Sequence, residues 1–226
     1  MIDSRSHQPS RRSDNRVDYD RLFISRVHRL IKLGYDRLNP KRYAREQETA
    51  ITGDLVESIE TVLDHPTEEW MPFFSVYDDP PVNEPRRPGR QRRKGRARRR
   101  VDIRLQSSQV SPRTRFRFEC KRLGKGNPVS RYLGKKGLGC FLARHYASHD
   151  LRAGMIGYVQ SEDEGTWAQR IAKTLHASAR KYALRHDGPW RHEPATSELE
   201  HTYRSGHGRG RGKRAIEVYH ILLRFC

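Results

Sequence analysis

The stretch RFRFECKRL, near the middle of the chain, places an acid and an amine two residues apart at the end of an apolar pattern. Side chains alternate between the two faces of a strand. Phe116, Phe118 and Cys120 therefore share one face, which can enter a core. Glu119 and Lys121 share the opposite face, where they need water, a counter-charge, a metal or a substrate. The alternation predicts a strand with a core side and a side available for chemistry.

A second acid falls beside the first if this strand pairs with the one before it. Asp102 opens the pattern VDIRL, and an antiparallel hairpin with Asp102 opposite Glu119 has its midpoint between Val110 and Ser111. The sequence there, SSQVSPRT, has the serines and proline that are typical of turns. This register predicts that Asp102, Glu119 and Lys121 meet at one end of a sheet.

The helix predicted for REQETAITGDLVESIETVLDHP supplies a third acid. At helical spacing Glu48 lies at the head of an apolar stripe that continues through Ile51, Leu55 and Ile59. A carboxylate on a buried face needs a metal, a cation or a hydrogen-bond donor. Because Glu48 is in the first turn, it can instead point outward or favour the helix N-terminus. Both interpretations stay open.

Three carboxylates and an amine suit metal-assisted hydrolysis of a phosphodiester. Mg²⁺ prefers oxygen ligands, which Asp102, Glu119 and Glu48 can supply, and the backbone carbonyl of Cys120 is a further candidate. Lys121 can orient the attacking water or help deprotonate it, and can stabilise the developing phosphorane. An acid and a lysine two residues apart are also typical of a solvated strand face, so the pattern depends on the other two acids.

The charge of the chain favours a polyanionic partner. The 226 residues include 46 Lys and Arg against 27 Asp and Glu, a formal net charge of +19. The stretch PRRPGRQRRKGRARRR contributes ten of these positive charges and no acid, and the rest of the chain would still carry +9. Nucleic acid is the commonest polyanion. The stretch itself is interpreted as a basic loop at about 84–100, either solvated or in contact with substrate.

Further basic residues are candidates for binding nucleic acid. Some follow the acid-and-lysine strand, and others lie in the glycine-rich YRSGHGRGRGKR, where the absence of side chains on glycine lets the backbone approach a ligand. The alternative for each is a solvated surface. The candidates are Arg122, Arg131, Lys135, Lys136, Arg209 and Arg211.

The chain is interpreted as one α/β domain, residues 18–226, after a disordered basic tail, residues 1–17. Amphipathic spacing predicts helices in YDRLFISRVHRLIKLGY and TWAQRIAKTLHASARKYALR, and a shorter one in GLGCFLARHYA. AGMIGYVQ and the last two apolar runs read as strands. The order of helix, helix, strands, helix, strand, helix and strands predicts a central mixed sheet flanked by helices.

The sequence also favours a soluble protein of the cytoplasm. Its three cysteines, Cys120, Cys140 and Cys226, are far apart and form no C-x-x-C pair, which suits a reducing compartment. The N-terminus lacks the apolar segment of a secretory signal. No run approaches the about 18 apolar residues of a membrane span. We therefore expect no membrane partner.

The pair of patterns VDIRL and FRFECKRL resembles the PD-(D/E)xK nuclease superfamily, over roughly residues 43–160. In that family an Asp opens one strand and an acid, any residue and Lys close the next; here these are Asp102, Glu119 and Lys121. Glu48 matches the metal-supporting Glu that many members carry on the first core helix. Val101 stands where the pattern has proline, and the arginine-rich loop is not part of the pattern.

The resemblance implies a restriction-endonuclease-like core and cleavage of nucleic acid that depends on Mg²⁺ or Mn²⁺, with DNA favoured over RNA. The longer pattern is similar to small restriction-like proteins of bacteria, some of them phage-defence components, which implies a homodimer or a partner subunit as further possibilities. The superfamily also includes non-cleaving members. The rival interpretation is a nucleic-acid-binding or assembly subunit whose acids are structural ion-pair partners.

Overall fold

The computed structural model describes residues 11–82, 99–147, 150–210 and 212–226. Most of the predicted basic loop, and Arg211, therefore lie outside the described residues. Among the helices that the structure describes, none is both long enough and apolar enough to cross a membrane.

The described residues form helices and strands in the predicted order. The helices are α1 (Arg11–Asp36), α2 (Glu48–Asp64), α3 (Val129–Tyr132), α4 (Leu138–Leu142) and α5 (Glu164–Ala177). The strands are β1 (Phe74–Asp78), β2 (Ile103–Ser107), β3 (Thr114–Leu123), β4 (Arg152–Val159), β5 (Arg191–His192), β6 (Thr202–His207) and β7 (Ile216–Arg224). Short 3-10 helical segments, Pro40–Tyr43 and Met71–Phe73, lie before and after α2.

All seven strands that the structure describes belong to one sheet, in the order β1-β2-β3-β4-β7-β6-β5. β1, β2 and β3 form an antiparallel meander. β4 lies parallel to β3 on one side and to β7 on the other, and β6 and β5 extend the sheet in antiparallel fashion. The crossover from β3 to β4 contains α3 and α4, as a parallel connection requires. The predicted α/β class with a mixed sheet is confirmed.

The β2–β3 hairpin has the predicted register. Ile103 pairs with Phe118, and each step along the ladder keeps this alignment as far as Ser107 and Thr114. One further step sets Asp102 beside Glu119. Because a slip of one residue would move the phenylalanines out of the core, the apolar alternation of β3 specifies this register.

Two layers of helices cover the two faces of the sheet. On one face, α1 and α2 bury Leu30, Ile31 and Leu55 against the Phe116 and Phe118 side of β3. On the other face, the apolar side of α5 packs with residues of α3, α4, β4 and β7. Burying each of these large aliphatic side chains stabilises the fold by about 1.5–3 kcal/mol. This packing fixes α2 against the sheet and thereby fixes the position of Glu48.

Three predicted helix ends are wrong. α1 begins at Arg11, so residues 11–17 belong to a helix rather than to the predicted tail, while residues 1–10 lie outside the described residues. No proline or glycine interrupts 11–17, and a helix nucleated by its packed part extends at little cost.

The other two helices are shorter than predicted. α5 ends at Ala177, because the following turns place Tyr182 in the core on the α5 face of the sheet and let its carbonyl accept from His207 Nδ1 at 2.9 Å. The segment GLGCFLARHYA is α-helical only in α4. The helix ends at Leu142, because Arg144 and Ala147 have positive φ angles of 58° and 50°, which a right-handed helix does not accommodate.

Candidate active site

The acid predicted to open β2 is held by the neighbouring strand. Asp102 directly precedes β2, and its Oδ2 accepts a hydrogen bond of 2.6 Å from the backbone N–H of Cys120. The backbone carbonyl of Asp102 accepts from the N–H of Asp79, just past β1, at 2.9 Å. The meander therefore fixes both the main chain and the carboxylate of Asp102 at the end of the sheet where β3 carries Glu119 and Lys121.

The predicted convergence of three acids is present, and its common partner is Lys121. The ammonium nitrogen of Lys121 lies 2.8 Å from Glu48 Oε1, 2.9 Å from Glu119 Oε1 and 3.6 Å from Asp102 Oδ2. It also donates to the carbonyl of Cys120. The Lys121 side chain is 7% exposed and that of Glu119 is 6% exposed. We call Glu48, Asp102, Glu119 and Lys121 the acidic cluster.

The position of Glu48 decides between the two interpretations of this residue. It is the first residue of α2, yet its carboxylate turns to the sheet, where Oε1 accepts from Lys121 and Oε2 from the backbone N–H of Arg122 at 3.3 Å. The helix turn is held to the sheet by Thr52, whose hydroxyl donates to the Glu48 carbonyl at 2.8 Å and lies 2.9 Å from the Tyr158 hydroxyl. Glu48 is therefore part of the cluster and not a solvent-facing residue.

The cluster carries more negative than positive charge. Three carboxylates face one ammonium, an excess of two formal negative charges. Burial raises the pKa of Glu119 to about 8, and the charge of Asp102 adds to this while Lys121 opposes it. Burial also raises the pKa of Asp102, against the opposing effects of Lys121 and the Cys120 N–H. Burial alone would lower the pKa of Lys121, but Glu119, Asp102 and Glu48 raise it.

The donor set has the chemistry of a site for a hard divalent cation. Its oxygens are carboxylates and the Cys120 carbonyl, the ligand types that Mg²⁺ and Mn²⁺ prefer. Glu119 Oε2 is buried and has no hydrogen-bond partner, so one carboxylate oxygen is uncommitted. Within the described ranges, however, no three His, Cys, Asp or Glu side chains are already arranged to hold a metal. The ammonium of Lys121 lies where the carboxylates converge, so a cation would share or replace its contacts.

Most of the predicted nucleic-acid-binding residues lie near this end of the sheet. Arg122 is half-buried beside Glu48 and donates to the Glu46 carbonyl at 3.2 Å. Arg131, Lys135 and Lys136 are exposed on α3 and the turn that follows it, shortly after β3 ends. Their exposure leaves their side chains accessible to a ligand.

The prediction that Arg209 grips phosphate is wrong. Arg209 is 8% exposed, and its guanidinium donates to the backbone carbonyls of Arg214, Ala147 and Asp150 at 3.0, 2.7 and 2.8 Å. These contacts hold the segment before β4 against the β6–β7 connection. The glycines next to Arg209 let the chain turn inward there, which a pattern of alternating Gly and Arg does not reveal. Arg211 lies outside the described residues.

Two groups near Glu119 were not predicted. Burial, and to a smaller extent the negative charge of Glu119, raise the pKa of the Cys140 thiol to about 11. The same two causes raise the pKa of Tyr146. Cys140 lies in the short helix α4, and Tyr146 lies in the irregular segment that follows it, so neither the five-residue helix nor that segment gives a periodic signal long enough to predict the side-chain directions. Cys120, by contrast, is buried on the face of the sheet that α1 and α2 cover, as the alternation of β3 predicts, and burial raises the pKa of its thiol.

The chain matches no protein-family model, no curated protein and no solved structure. A functional assignment for this chain therefore depends on the geometry of the acidic cluster.

Proposed function

We propose that this protein is a metal-dependent nuclease with a restriction-endonuclease-like core, of the PD-(D/E)xK type. The observation that carries the proposal is the acidic cluster, in which Asp102, Glu119 and Glu48 from three elements converge on the buried Lys121. A structural ion pair needs one acid, whereas this site gathers three and leaves a buried carboxylate oxygen without a partner. Without a metal, protonation of Glu119, whose pKa burial raises to about 8, reduces the negative charge of the cluster, and a divalent cation would take the place of that proton.

The residues that would hold Mg²⁺ or Mn²⁺ are Asp102, Glu119 and the carbonyl of Cys120, with Glu48 in support. When bound, such a cation polarises a phosphoryl oxygen and favours ionisation of its bound water. Lys121 donates hydrogen bonds from within the cluster, so it can orient a water and balance negative charge on the phosphorane oxygens. The Asp102 carboxylate stays aligned because the Cys120 N–H holds it.

DNA is the proposed substrate, and the support for nucleic acid as such is the charge. The chain has a net charge of +19, and exposed Arg131, Lys135 and Lys136 follow β3 near the cluster. The cysteines of the chain are free thiols, which suits the reducing cytoplasm. A role in defence against foreign DNA, as a homodimer or with a partner subunit, is the biological setting that the resemblance favours.

The direct test is cleavage of supercoiled plasmid, linear single-stranded DNA and RNA in Mg²⁺, Mn²⁺ or EDTA. Wild type is compared with Glu119→Gln and Lys121→Ala, and with Glu57→Gln, which alters an exposed acid of α2 as a matched control. We expect metal-dependent cutting in wild type and the control, and a loss of at least about 100-fold in the two cluster variants. Cutting that persists in both cluster variants would refute the assignment.

The second candidate is a nucleic-acid-binding or assembly subunit without catalysis. It is favoured by the fact that Lys121 already neutralises part of the cluster and that no three-ligand group is pre-arranged within the described residues. Metal stabilisation separates the two candidates, because a ligand that binds only the folded state raises its melting temperature. The nuclease predicts that Mg²⁺ raises the melting temperature of wild type more than that of Asp102→Asn. If the protein is a binding subunit, Mg²⁺ should not change the melting temperature of wild type or of Asp102→Asn, and nucleic-acid binding should weaken strongly as the salt concentration rises.

A further inference from the structure

A cavity of about 800 Å³ opens at the beginning of β3, the opposite end from the acidic cluster. Its walls come from α1, the turn between β2 and β3, the start of β3 and the segment around the start of β4. Arg115 in its wall and Glu119 are four residues apart on one strand, which separates them by about 13 Å. The cavity has the size of a small-ligand site.

The charge of the cavity wall is strongly positive, with five arginines and two aspartates. Both aspartates are already paired inside the wall. Asp150 pairs with Arg117, and Asp20 accepts from Arg152 at 3.0 Å. These pairs hold two of the arginines in place and leave the wall with an excess of three positive charges.

The excess charge lies on Arg113, Arg115 and Arg214. All three are exposed, and in the part of the chain that the structure describes none of them has an acidic partner. They come from the β2–β3 turn, β3 and the segment before β7, so the fold brings them together from separate parts of the chain. A multiply charged anion is the complementary ligand.

The sheet concentrates like charge at this end. Arg104 on β2 lies directly opposite Arg117 on β3, an arrangement of like charges that destabilises a strand pair. Burial lowers the pKa of Arg104, and the nearby charges of Arg115 and Arg117 lower it further. Arg117 is paired with Asp150 and Arg104 lies over the Tyr77 ring, so the positive charge left for a ligand is that of Arg113, Arg115 and Arg214.

One wall of the cavity is aromatic and apolar. The half-buried ring of Tyr19 stacks on Phe23, with centroids 6.4 Å apart and planes 16° apart. Val110 and Leu151, which are 36% and 46% exposed, add apolar surface. A ligand that fits both walls therefore carries a planar ring as well as a phosphate.

We propose that this cavity binds a nucleoside phosphate, with the phosphate on Arg113, Arg115 and Arg214 and the base against Tyr19. The nucleotide comes either free from solution or as one unit of a single strand. Since the cavity is separate from the acidic cluster, this binding does not depend on cleavage.

The test measures binding by calorimetry in EDTA, with AMP, adenosine, inorganic phosphate and a short oligothymidylate as probes. The full chain is compared with Arg113→Gln/Arg115→Gln and with Tyr19→Leu. Lys173→Gln/Arg180→Gln removes two exposed positive charges elsewhere and is the charge-matched control. Circular dichroism melting verifies that each variant is folded.

We expect the arginine variant to weaken nucleotide binding about tenfold or more, while the charge-matched control stays within about twofold. Tyr19→Leu is expected to weaken AMP binding and leave that of inorganic phosphate unchanged. If AMP binds and its binding weakens in the arginine variant, the natural ligand is a free nucleotide. If only the oligothymidylate binds with this dependence, the natural ligand is one nucleotide of a single strand. The proposal is overturned if neither binds, if the control loses as much, or if Tyr19→Leu affects phosphate and AMP equally. Cleavage is not a readout here, so failure of the nuclease proposal would be seen separately.

Discussion

Replacing Lys121 with methionine is the sharpest perturbation of the acidic cluster. Methionine keeps most of the length and volume of the side chain but removes the charge, leaving three carboxylates around an apolar group. At an effective dielectric constant of about 20, each of the two closest pairs contributes about 6 kcal/mol of gross attraction. Desolvation of the buried ions offsets most of this, and removing one partner of a buried pair costs about 3–5 kcal/mol net.

We therefore expect Lys121→Met to lose about 3–5 kcal/mol of unfolding free energy in EDTA, which corresponds to about 6–20 °C in melting temperature for a chain of this size. Mg²⁺ is expected to restore more stability to this variant than it adds to wild type, because it no longer competes with an ammonium. At a concentration 100 times its dissociation constant a ligand adds about 2.7 kcal/mol.

The assay is urea unfolding followed by circular dichroism, with and without Mg²⁺. Lys125→Met, which alters an exposed lysine just beyond β3, is the matched control and is expected to change stability by less than about 0.5 kcal/mol. A Lys121→Met variant as stable as wild type in EDTA would refute the view that the ammonium holds the acids together. A destabilised variant that Mg²⁺ does not restore would refute the metal site and favour the structural ion-pair interpretation.

Three further predictions concern other buried polar groups. Burial lowers the pKa of His28 to about 4, so the unfolded chain takes up this proton below pH 6.5 while the folded chain does not. His28 should therefore contribute a loss of up to about 3 kcal/mol of unfolding free energy from pH 6.5 to 4, in addition to the losses from His207 and His220, whose pKa values burial also lowers. In urea unfolding, His28→Phe should make the fall over that window smaller by this amount relative to His65→Gln. Arg209→Gln should cost about 1.5–3 kcal/mol in the same assay without weakening DNA binding, and weakened binding would contradict its structural role. Thr52→Val should lower cleavage rather than DNA binding by loosening Glu48, and an unchanged rate would contradict that positioning.

Regular alternation in the sequence predicted the parts of the site that lie on regular elements. The register of the β2–β3 hairpin and the faces of β3 follow from a period of two. The helical stripe that Glu48 heads allowed an inward direction, but its place in the first turn allowed an outward one as well, so the sequence alone left this open. Lys121 could be assigned to the site by the alternation of β3. Its role as common partner of three acids could not, because it depends on distances between elements.

Some of the missed features lie where the chain has no period. Arg209 and Tyr146 are on irregular segments, and their burial results from tertiary contacts that glycines and turns make possible. Thr52 and Tyr158 are on regular elements, but their mutual hydrogen bond joins residues 106 positions apart. The cavity at the start of β3 combines three separate segments, so no local pattern marks it.

The two faces of β3 limit how the chain can change in length. Its core phenylalanines and its site residues alternate, so one residue inserted between Thr114 and Lys121 would exchange them and destroy core and site together. Two inserted residues would preserve the faces but move the acid along the sheet, away from Asp102. The turn at 108–113 has neither constraint, since extra residues there leave the pairing of Asp102 with Glu119 unchanged. Insertions selected for folding and activity should therefore fall in that turn, where they would lengthen one wall of the cavity and leave the cluster intact.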